Sequence, residues 1–286
     1  MGVLNVTPDS FSDGGRFVDP DDAVARARVM LDEGATWIDV GGESTRPGAA
    51  PVGPDEEQRR VLPVVEAVAD LCRGTGRRVS IDTRHESTAR AAVAVGAEML
   101  NDVSASLWAV AADLGVPWVA MHMAGDPTTM QADPRYDDVV GEVRAYLTER
   151  ATTALAAGVP EVLVDPGIGF GKTTTHNLQL LARLRELVDD GLPVVIGTSR
   201  KRFVGELLAR SDRGEFRPYG SRGPSEGAMI GAEPPGPVPT EDRLVGSLAT
   251  ATWAMIHGAR IVRVHDVRAT VRAARALLDG PVARRR

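Results

Sequence analysis

The sequence lacks most of the features that would place it in a membrane, in an oxidising compartment or on a nucleic acid. It has one cysteine, Cys72, which excludes an internal disulfide and is typical of a reducing compartment. No apolar run approaches the ~18 residues that a membrane span requires, and no basic segment precedes the first apolar run. A net charge of −6 argues against nucleic acid or a membrane surface as a partner. We therefore expect a cytoplasmic protein.

Lysine is nearly absent as well. Of the 33 basic residues, only Lys172 and Lys201 are lysines, and all the others are arginines. A bias of this size indicates genome composition. The two lysines that remain are candidates for sites that need a compact ammonium rather than a planar guanidinium. Chance survival of two surface lysines is the alternative. The motif around Lys201 favours a function there, whereas for Lys172 the sequence leaves both explanations open.

The chain contains eight short apolar runs that alternate with longer amphipathic segments. The runs show little polar alternation, which is typical of strands buried on both faces of a parallel sheet. Eight strand–helix units predict an α/β protein, a (β/α)8 TIM barrel formed as a single domain by residues 1–286, with a doubly wound sheet as the alternative. The predicted strands are Gly2–Val6, Thr36–Val40, Val79–Asp82, Met99–Val103, Trp118–Met121, Val162–Asp165, Val194–Gly197 and Ile261–Val264.

One segment does not fit this alternation. Ser211–Thr240 is rich in Gly, Pro, Ser and charged residues and has little periodicity. Such a composition cannot bury enough apolar surface to pack as a regular element. We predict that residues 211–240 form a flexible insertion between the seventh and the eighth helix.

Every predicted strand ends in a hydrogen-bonding or ionisable side chain. In a barrel of this class the C-terminal ends of the strands meet at one mouth, where the chemistry is located. Asp and Asn also cap the following helix, which accounts for one or two such residues but not for eight. We therefore predict one polar pocket in the mouth. Its candidate residues are Asn5, Thr7, Asp39, Asp82, Asn101, Asp102, His122, Asp165, Ser199, Lys201, Arg263, His265 and Asp266.

The side chains of this ring indicate two kinds of ligand group. Asp82 and Asp165 can each accept two hydrogen bonds from an amidine-like N–C–N group, and Asn101 suits an edge of mixed donors and acceptors, so a pterin or purine edge would fit. Arg263 and His265 stand two residues apart on one face of the last strand, where they could hold an anion together with the asparagine of the first strand.

Other signals are weak. The Gly-rich segment 165–172 lacks the full spacing of a phosphate-binding P-loop. His122 by itself is more typical of a packed barrel histidine than of a ligand. No set of His, Cys and carboxylate residues has the spacing of a zinc site.

Taken together and in order, the motifs at the strand ends resemble the dihydropteroate synthases of folate biosynthesis. The resemblance covers nearly the whole chain. It implies a (β/α)8 barrel, usually a homodimer, that joins 6-hydroxymethyl-7,8-dihydropterin pyrophosphate to 4-aminobenzoate and releases pyrophosphate with the help of Mg²⁺. The motifs are GVLNVTPDSFSDGG (2–15), DVGGESTRPGA (39–49), SIDT (80–83), ND (101–102), MHM (121–123), DPGIGFGK (165–172), SRK (199–201) and RVHDV (263–267).

The resemblance implies a pterin pocket and a pyrophosphate site that agree with the chemistry of the side chains. Lys201 would lie against the pterin and donate to its oxygen or ring nitrogen. Asn5 would also contact Mg²⁺. The implied pterin residues are Asp82, Asn101, Asp165 and Lys201, and the implied pyrophosphate residues are Asn5, Arg263 and His265.

It also implies two loops that close over the site, and a pocket for the aminobenzoate, where sulfonamides compete in this family. Arg202 stands where many members have a Ser that contacts the aminobenzoate carboxylate, so Arg202 would act through its backbone N–H or its side chain. The implied catalytic residues are Phe11, Asp13, Arg46, Asp165 and Lys201, and the implied aminobenzoate residues are Thr45, Pro47, Phe170 and Arg202.

The implied reaction is a dissociative displacement, in which pyrophosphate leaves before the aryl amine attacks. Two alternatives stay open from the sequence: a non-catalytic paralogue that binds pterin, and a pterin-dependent methyltransferase, which needs no pyrophosphate site. The chain begins inside its first strand, whereas members usually carry a preceding hairpin under the barrel, so we expect reduced stability rather than altered chemistry.

Overall fold

All eight apolar runs contain a strand, as expected. The computed structural model describes residues 1–7, 20–44, 51–125, 129–212 and 236–278. Each strand is short, between two and five residues, and ends within one or two residues of its predicted end. The strands are β1 (Gly2–Asn5), β2 (Trp37–Gly41), β3 (Arg78–Asp82), β4 (Met99–Asp102), β5 (Trp118–Met121), β6 (Val162–Asp165), β7 (Val195–Ile196) and β8 (Ile261–Val262).

The strands close into a barrel. Strands β1 to β6 pair in parallel in chain order, and β7 pairs in parallel with β8. Parallel bridges between Val164 and Val194 and between Gly2 and Val264 join this pair to both ends of the six-stranded sheet. At the second bridge the backbone N of Val3 donates to the oxygen of Val264 at 2.9 Å. This sequential, closed order confirms the barrel and excludes the doubly wound alternative.

Helices surround the barrel and follow the predicted amphipathic segments. Pro54 begins one of them, where its missing N–H costs nothing, and the Asp138 side chain caps another by accepting from the N of Val140. The helices are α1 (Pro20–Asp32), α2 (Pro54–Cys72), α3 (Glu86–Ala94), α4 (Trp108–Leu114), α5 (Val139–Ala156), α6 (Thr174–Ala182), α7 (Leu184–Asp189), α8 (Arg202–Asp212), α9 (Leu244–Ile256) and α10 (Val267–Leu278), with a 3₁₀ turn at Thr240–Arg243.

The core has two layers that the strands separate. Inside the barrel, Met99, Val119, Leu163 and Val195 form a small apolar cluster. Outside it, residues of the opposite parity, such as Leu100, pack against the helices in a much larger cluster. Because side chains alternate along a strand, the next inward position toward the mouth is two residues beyond each member of the inner cluster. That rule decides which strand-end side chains can face the pocket.

The predicted insertion falls largely outside the described residues. Ser211 and Asp212 belong to the end of α8, and Thr240 begins the 3₁₀ turn before α9. Residues 213–235 lie outside the part of the chain that the structure describes, so the flexible insertion stays a prediction. None of the helices in the described part is long and apolar enough to cross a membrane.

Candidate active site

Alternation along the strands turns one set of strand-end residues inward. Two residues beyond Met99 comes Asn101, and two beyond Leu163 comes Asp165, so both follow the inner apolar cluster toward the mouth. In the parallel register Asp82 lies beside Asn101. These polar side chains therefore share the mouth of the barrel, directly above its apolar interior, where the sequence predicts a polar pocket.

Asp39 is the centre of this pocket. Its side chain is fully buried and accepts three hydrogen bonds. The donors are Ser80 Oγ at 2.6 Å, Asn101 Nδ2 at 2.9 Å and Arg263 Nε at 2.6 Å. Three donors, one of them cationic, compensate the cost of burying this carboxylate. Because Asn101 donates to Asp39 through its Nδ2, its amide oxygen points away from that carboxylate.

Arg263 joins two carboxylates rather than standing apart as an anion site. Its Nε donates to Asp39, and its Nη2 donates to Asp82 Oδ2 at 2.5 Å. Burial raises the pKa of Asp82 to about 7, although the nearby Arg263 opposes this shift. One guanidinium is thus shared by two carboxylates, the fully buried Asp39 and the partly buried Asp82. Sequence reasoning placed Arg263 beside a pyrophosphate; its guanidinium lies among the residues expected to hold the pterin.

The Gly-rich segment after β6 forms a tight turn on Asp165. The Asp165 Oδ1 accepts from the backbone N of Gly167 at 2.7 Å. Burial raises the pKa of Asp165, and the charge of Lys201 opposes that shift. Asn177, buried at the start of α6, accepts from the N of Gly169 at 2.8 Å through its Oδ1. The segment is therefore fixed from within the site and from the helix behind it.

Lys201 reaches across the mouth from the turn after β7. Its Nζ donates to the carbonyl oxygen of Ile168 and lies 4.6 Å from the centre of the Phe170 ring. Burial lowers the pKa of Lys201 to about 8, while the Asp165 carboxylate opposes the shift. Lys201, Asp165 and Phe170 thus lie close together at one side of the barrel mouth.

The turn after β7 is tied to the end of β8. The Ser199 Oγ accepts from the backbone N of His265 at 3.1 Å and lies 3.0 Å from its Nδ1. Next to it, Arg200 holds Asp266 through two hydrogen bonds of 3.0 and 2.5 Å. Arg200 takes a left-handed backbone with φ of +61°, a conformation that costs energy in a residue other than glycine. These contacts set the position of Lys201 relative to His265.

Three of the predicted ring residues have outward parity and do not belong to the pocket. Asp102 accepts from three backbone N–H groups at the start of α4, those of Ser104, Ser106 and Leu107, at 2.7–2.9 Å. His122 lies edge-on to a tyrosine of α5, and Asp266 pairs with Arg200. The expectation that every strand end faces one pocket was wrong for these three, because alternate side chains of a strand point to the helix layer.

Two important residues stand out only in the structure. Asp39 was one of thirteen strand-end candidates, and its sequence position gave no sign that it joins three partners. Lys172 is 3% exposed and bonds to His122 behind the pocket. The scarcity of lysine was the signal that could have singled out Lys172, although it did not say what Lys172 contacts.

Several predicted residues are not accounted for by this geometry. Phe11, Asp13, Thr45, Arg46 and Pro47 lie outside the described residues. The Arg202 side chain is 79% exposed and pairs with Glu206 on its own helix at 2.9 Å. Because the side chain is engaged there, the backbone N–H at the start of α8 is the part of Arg202 left to contact a substrate.

Asn5 is half-buried at the end of β1, beside Gly41 in the register. Within the described ranges no three His, Cys, Asp or Glu residues cluster as a metal site would require. A single amide oxygen nevertheless suits Mg²⁺, which usually takes one or two protein oxygens and completes its shell with substrate phosphates and water. Asn5 therefore fits a metal that arrives with a pyrophosphate, but not a metal held by protein alone.

Comparison with known proteins supports the resemblance seen in the motifs. The family profile described as pterin binding enzyme matches residues 1–265. A dihydropteroate synthase from Escherichia coli K12 is 45% identical over 283 residues, which cover 97% of this chain and 89% of that protein. The solved dihydropteroate synthase of Xanthomonas albilineans with 4-aminobenzoic acid has a TM-score of 0.80 at 43% identity and covers 98% of this chain and 93% of that one. A Thermus thermophilus dihydropteroate synthase in complex with 6HMPPP has a TM-score of 0.74 at 42% identity, covering 98% and 92%.

Proposed function

Because the chain belongs to the pterin binding enzymes and, among them, to the dihydropteroate synthase family, we propose how its own residues carry out that family's reaction. The enzyme is a transferase that condenses 6-hydroxymethyl-7,8-dihydropterin pyrophosphate with 4-aminobenzoate to give 7,8-dihydropteroate and pyrophosphate. Neither the non-catalytic paralogue nor the methyltransferase is favoured by relatives that carry the synthase name. The observation that carries the proposal is the group of buried polar side chains around Asp39 at the barrel mouth.

The pterin ring binds where donors and acceptors of both kinds meet. Asp82 and Asp165 accept from the amidine-like edge of the ring, and the Asn101 oxygen, turned away from Asp39, accepts a further N–H. Lys201 donates to the ring oxygen or nitrogen from the opposite side. The apolar floor of the pocket excludes water, so that each of these bonds is stronger than it would be in solution.

The pyrophosphate binds at the rim formed by β1 and β8. His265 is held there through its ring and its backbone by Ser199. Asn5 stands at the end of β1, and Arg263 supplies positive charge from one layer below. Asn5 would hold Mg²⁺, which would supply positive charge to the leaving pyrophosphate. Arg263 also donates to Asp39 and Asp82, so its positive charge serves these two carboxylates as well as the pyrophosphate.

Displacement proceeds by loss of pyrophosphate and then attack by the amine. The bond between the pterin methylene carbon and the pyrophosphate oxygen breaks, and its electron pair leaves with the pyrophosphate. The methylene becomes cationic, and Asp165 together with Asp13 stabilises that charge. The amine nitrogen of 4-aminobenzoate then forms the new C–N bond and loses a proton. The family resemblance assigns to Phe11 and Arg46 the exclusion of the water that would otherwise capture the cation.

The aminobenzoate enters over Phe170, on the side of the pocket next to Lys201. The family resemblance assigns Thr45 and Pro47, which lie outside the described residues, to the same substrate. Arg202 contributes its backbone N–H at the start of α8, because its side chain is engaged by Glu206. A backbone donor at a helix N-terminus suits the carboxylate of the substrate.

We also propose that the enzyme is a cytoplasmic homodimer that uses α9 as its interface. This helix exposes Val245 at 70%, Trp253 at 45% and Ile256 at 43%. Leu178 of the adjacent α6 is exposed at 40%, and Trp253 Nε1 donates to the oxygen of Leu181 at 2.8 Å, which joins the two helices. An apolar face spread over two helices is typical of a protein interface. The single cysteine supports a reducing compartment.

The direct test measures both products from the same reaction. Purified, folded protein is given 6-hydroxymethyl-7,8-dihydropterin pyrophosphate and Mg²⁺, with and without 4-aminobenzoate. Dihydropteroate should form in equal amount to the pyrophosphate released, and a chelator should stop the reaction until Mg²⁺ is restored. Asp82→Ala should lose affinity for the pterin, whereas the control Asp113→Ala, at an exposed carboxylate of α4, should not. An Asp82→Ala enzyme with unchanged affinity and turnover would show that the pocket is wrongly assigned.

A further inference from the structure

Lys172 is a buried lysine outside the pocket, and its ammonium has an acceptor for each of its three N–H groups. Its side chain lies behind the mouth, between the end of β5 and the segment 165–172 that follows β6. The Nζ has three donors and three acceptors in reach: His122 Nδ1 at 2.9 Å, the oxygen of Phe170 at 3.0 Å and the oxygen of His122 at 3.4 Å. The Tyr136 ring lies 5.9 Å away on another side. An ammonium so satisfied can remain buried.

The two backbones that Lys172 joins lie in direct contact. A Cβ atom on Gly167 would come within 1.8 Å of the His122 oxygen, and one on Gly171 within 2.5 Å of the Ala124 oxygen. Both glycines also have left-handed backbones, with φ of +66° and +59°. Only glycine fits at these two positions, so the backbone of segment 165–172 packs directly against the backbone that follows β5.

The opposite side of the same segment forms a wall of the pocket. It carries Asp165, the oxygen of Ile168 that accepts from Lys201, and the Phe170 ring under the Lys201 ammonium. Lys172 bonds to the backbone oxygen of Phe170 itself. We propose that Lys172 is a positioning residue, which holds Phe170 against Lys201 and so sets the shape of the wall between the pterin and the aminobenzoate. This inference rests on the proposed function of the pocket.

The chemistry of the site explains why a lysine is retained in a chain that otherwise uses arginine. The three acceptors converge on a single nitrogen, whereas a guanidinium spreads its donors over a plane and needs more room. The titratable neighbours are Asp165 and Lys201 on the pocket side, and His122, His176 and Tyr136 behind. Burial lowers the pKa of Lys172 to about 7 and the pKa of His122 to about 3, so the neutral imidazole is available as an acceptor.

The two lysines make a direct spectroscopic test possible. Protein labelled with ¹³C at lysine Cε gives two side-chain signals, and in a Lys172 variant the remaining signal belongs to Lys201. The Phe170 ring current shifts that signal, and Phe170→Leu defines its position without the ring. We expect Lys172→Met and Lys172→Arg to move the Lys201 signal toward the Phe170→Leu value. Leu147→Ala, a core substitution on α5, should destabilise the fold without moving it.

Kinetics supply the second measurement. Both Lys172 variants should raise the KM for 4-aminobenzoate about tenfold or more, because a misplaced wall costs binding, while Leu147→Ala should leave this KM unchanged. A Lys172→Met or Lys172→Arg protein with the wild-type Lys201 signal and the wild-type KM would overturn the inference. If the wild type made no dihydropteroate, the proposed function would fall, but the Lys201 signal would still decide whether Lys172 positions Phe170.

Discussion

Asp39 and Asp82 share the guanidinium of Arg263, but their other hydrogen-bond partners differ. This difference sets the protonation of the pocket. Asp39 accepts from Ser80, Asn101 and Arg263, so its negative charge is well compensated. Asp82 has Arg263 as its cationic partner, and burial raises its pKa to about 7. Asp82 therefore changes its protonation near neutral pH. A bound pterin would supply the donors that this carboxylate lacks.

We predict a bell-shaped pH dependence of pterin affinity. Asp82 accepts two hydrogen bonds only when ionised, so affinity should rise as the pH approaches about 7. Lys201 donates from its full ammonium only when protonated, and burial lowers its pKa to about 8, so affinity should fall above that pH. Calorimetric titration with 6-hydroxymethyl-7,8-dihydropterin, which has no pyrophosphate to titrate, measures the profile.

The acid side and the alkaline side of this pH profile can each be tested with one substitution. Asp82→Asn should bind more weakly and lack the rise on the acid side, because an amide does not titrate. Lys201→Arg should lack the fall on the alkaline side. A profile of Asp82→Asn that kept the acid limb of the wild type would assign that limb to another group and contradict the prediction.

At the scale of the elements, the turn between β4 and α4 shows how a strand-end carboxylate can serve the fold instead of the site. The buried Asp102 accepts from the N–H groups of Ser104, Ser106 and Leu107 and from Trp118 Nε1 at 3.2 Å. These backbone groups precede α4, whose N-cap residue makes no side-chain cap of its own. Asp102 therefore orders the turn that leads into α4 and fixes Trp118 of β5 as well.

Asp102→Ala should lower the free energy of unfolding by about 3 kcal/mol, because several buried donors lose a charged acceptor at once. Urea denaturation at neutral pH measures the change. Ser104→Ala removes one donor to the same carboxylate and should cost about 1 kcal/mol or less. Equal losses in the two variants would mean that the Asp102 carboxylate does not hold this turn through several donors at once.

For the whole molecule, the outer side of α9 carries the apolar surface that we propose as the interface between two copies. Strands β7 and β8 complete the ring through two bridges, and α9 packs outside them. Its outer side carries Val245, Trp253 and Ile256, all exposed by at least 43%. A second copy of the chain would bury this apolar surface and gain free energy roughly in proportion to its area.

If α9 forms the proposed dimer interface, Val245→Asp should shift the protein from dimer toward monomer, since a charge in an apolar interface is costly. Sedimentation velocity over a range of protein concentrations measures the shift. The matched control is Leu155→Asp on α5, a residue that is also exposed, at 48%, but lies on a different helix. A wild-type protein that stays monomeric at all concentrations, or two variants that behave alike, would exclude α9 as the interface.

The sequence by itself determined the eight strands, their parallel class and the polar residues at their ends. Those features are local: apolar runs, helix periodicity and turn residues within a few positions of one another. The order of motifs along the chain was enough to identify the family. The barrel rule that strand ends meet at the mouth brought Asp165 and Lys201 together, whereas Phe170 came only from the family resemblance.

Only the tertiary structure decided which of these residues face the pocket. Inner residues such as Met99 and outer residues such as Leu100 are equally apolar. The sequence of a strand that is buried on both sides therefore does not show which alternate residues point into the barrel. The parity became visible once the ring closed, and it removed Asp102, His122 and Asp266 from the site. The pairing of Arg263 with Asp39 joins residues 224 positions apart. No local pattern encodes such a contact, because it arises from the closure of β8 onto β1.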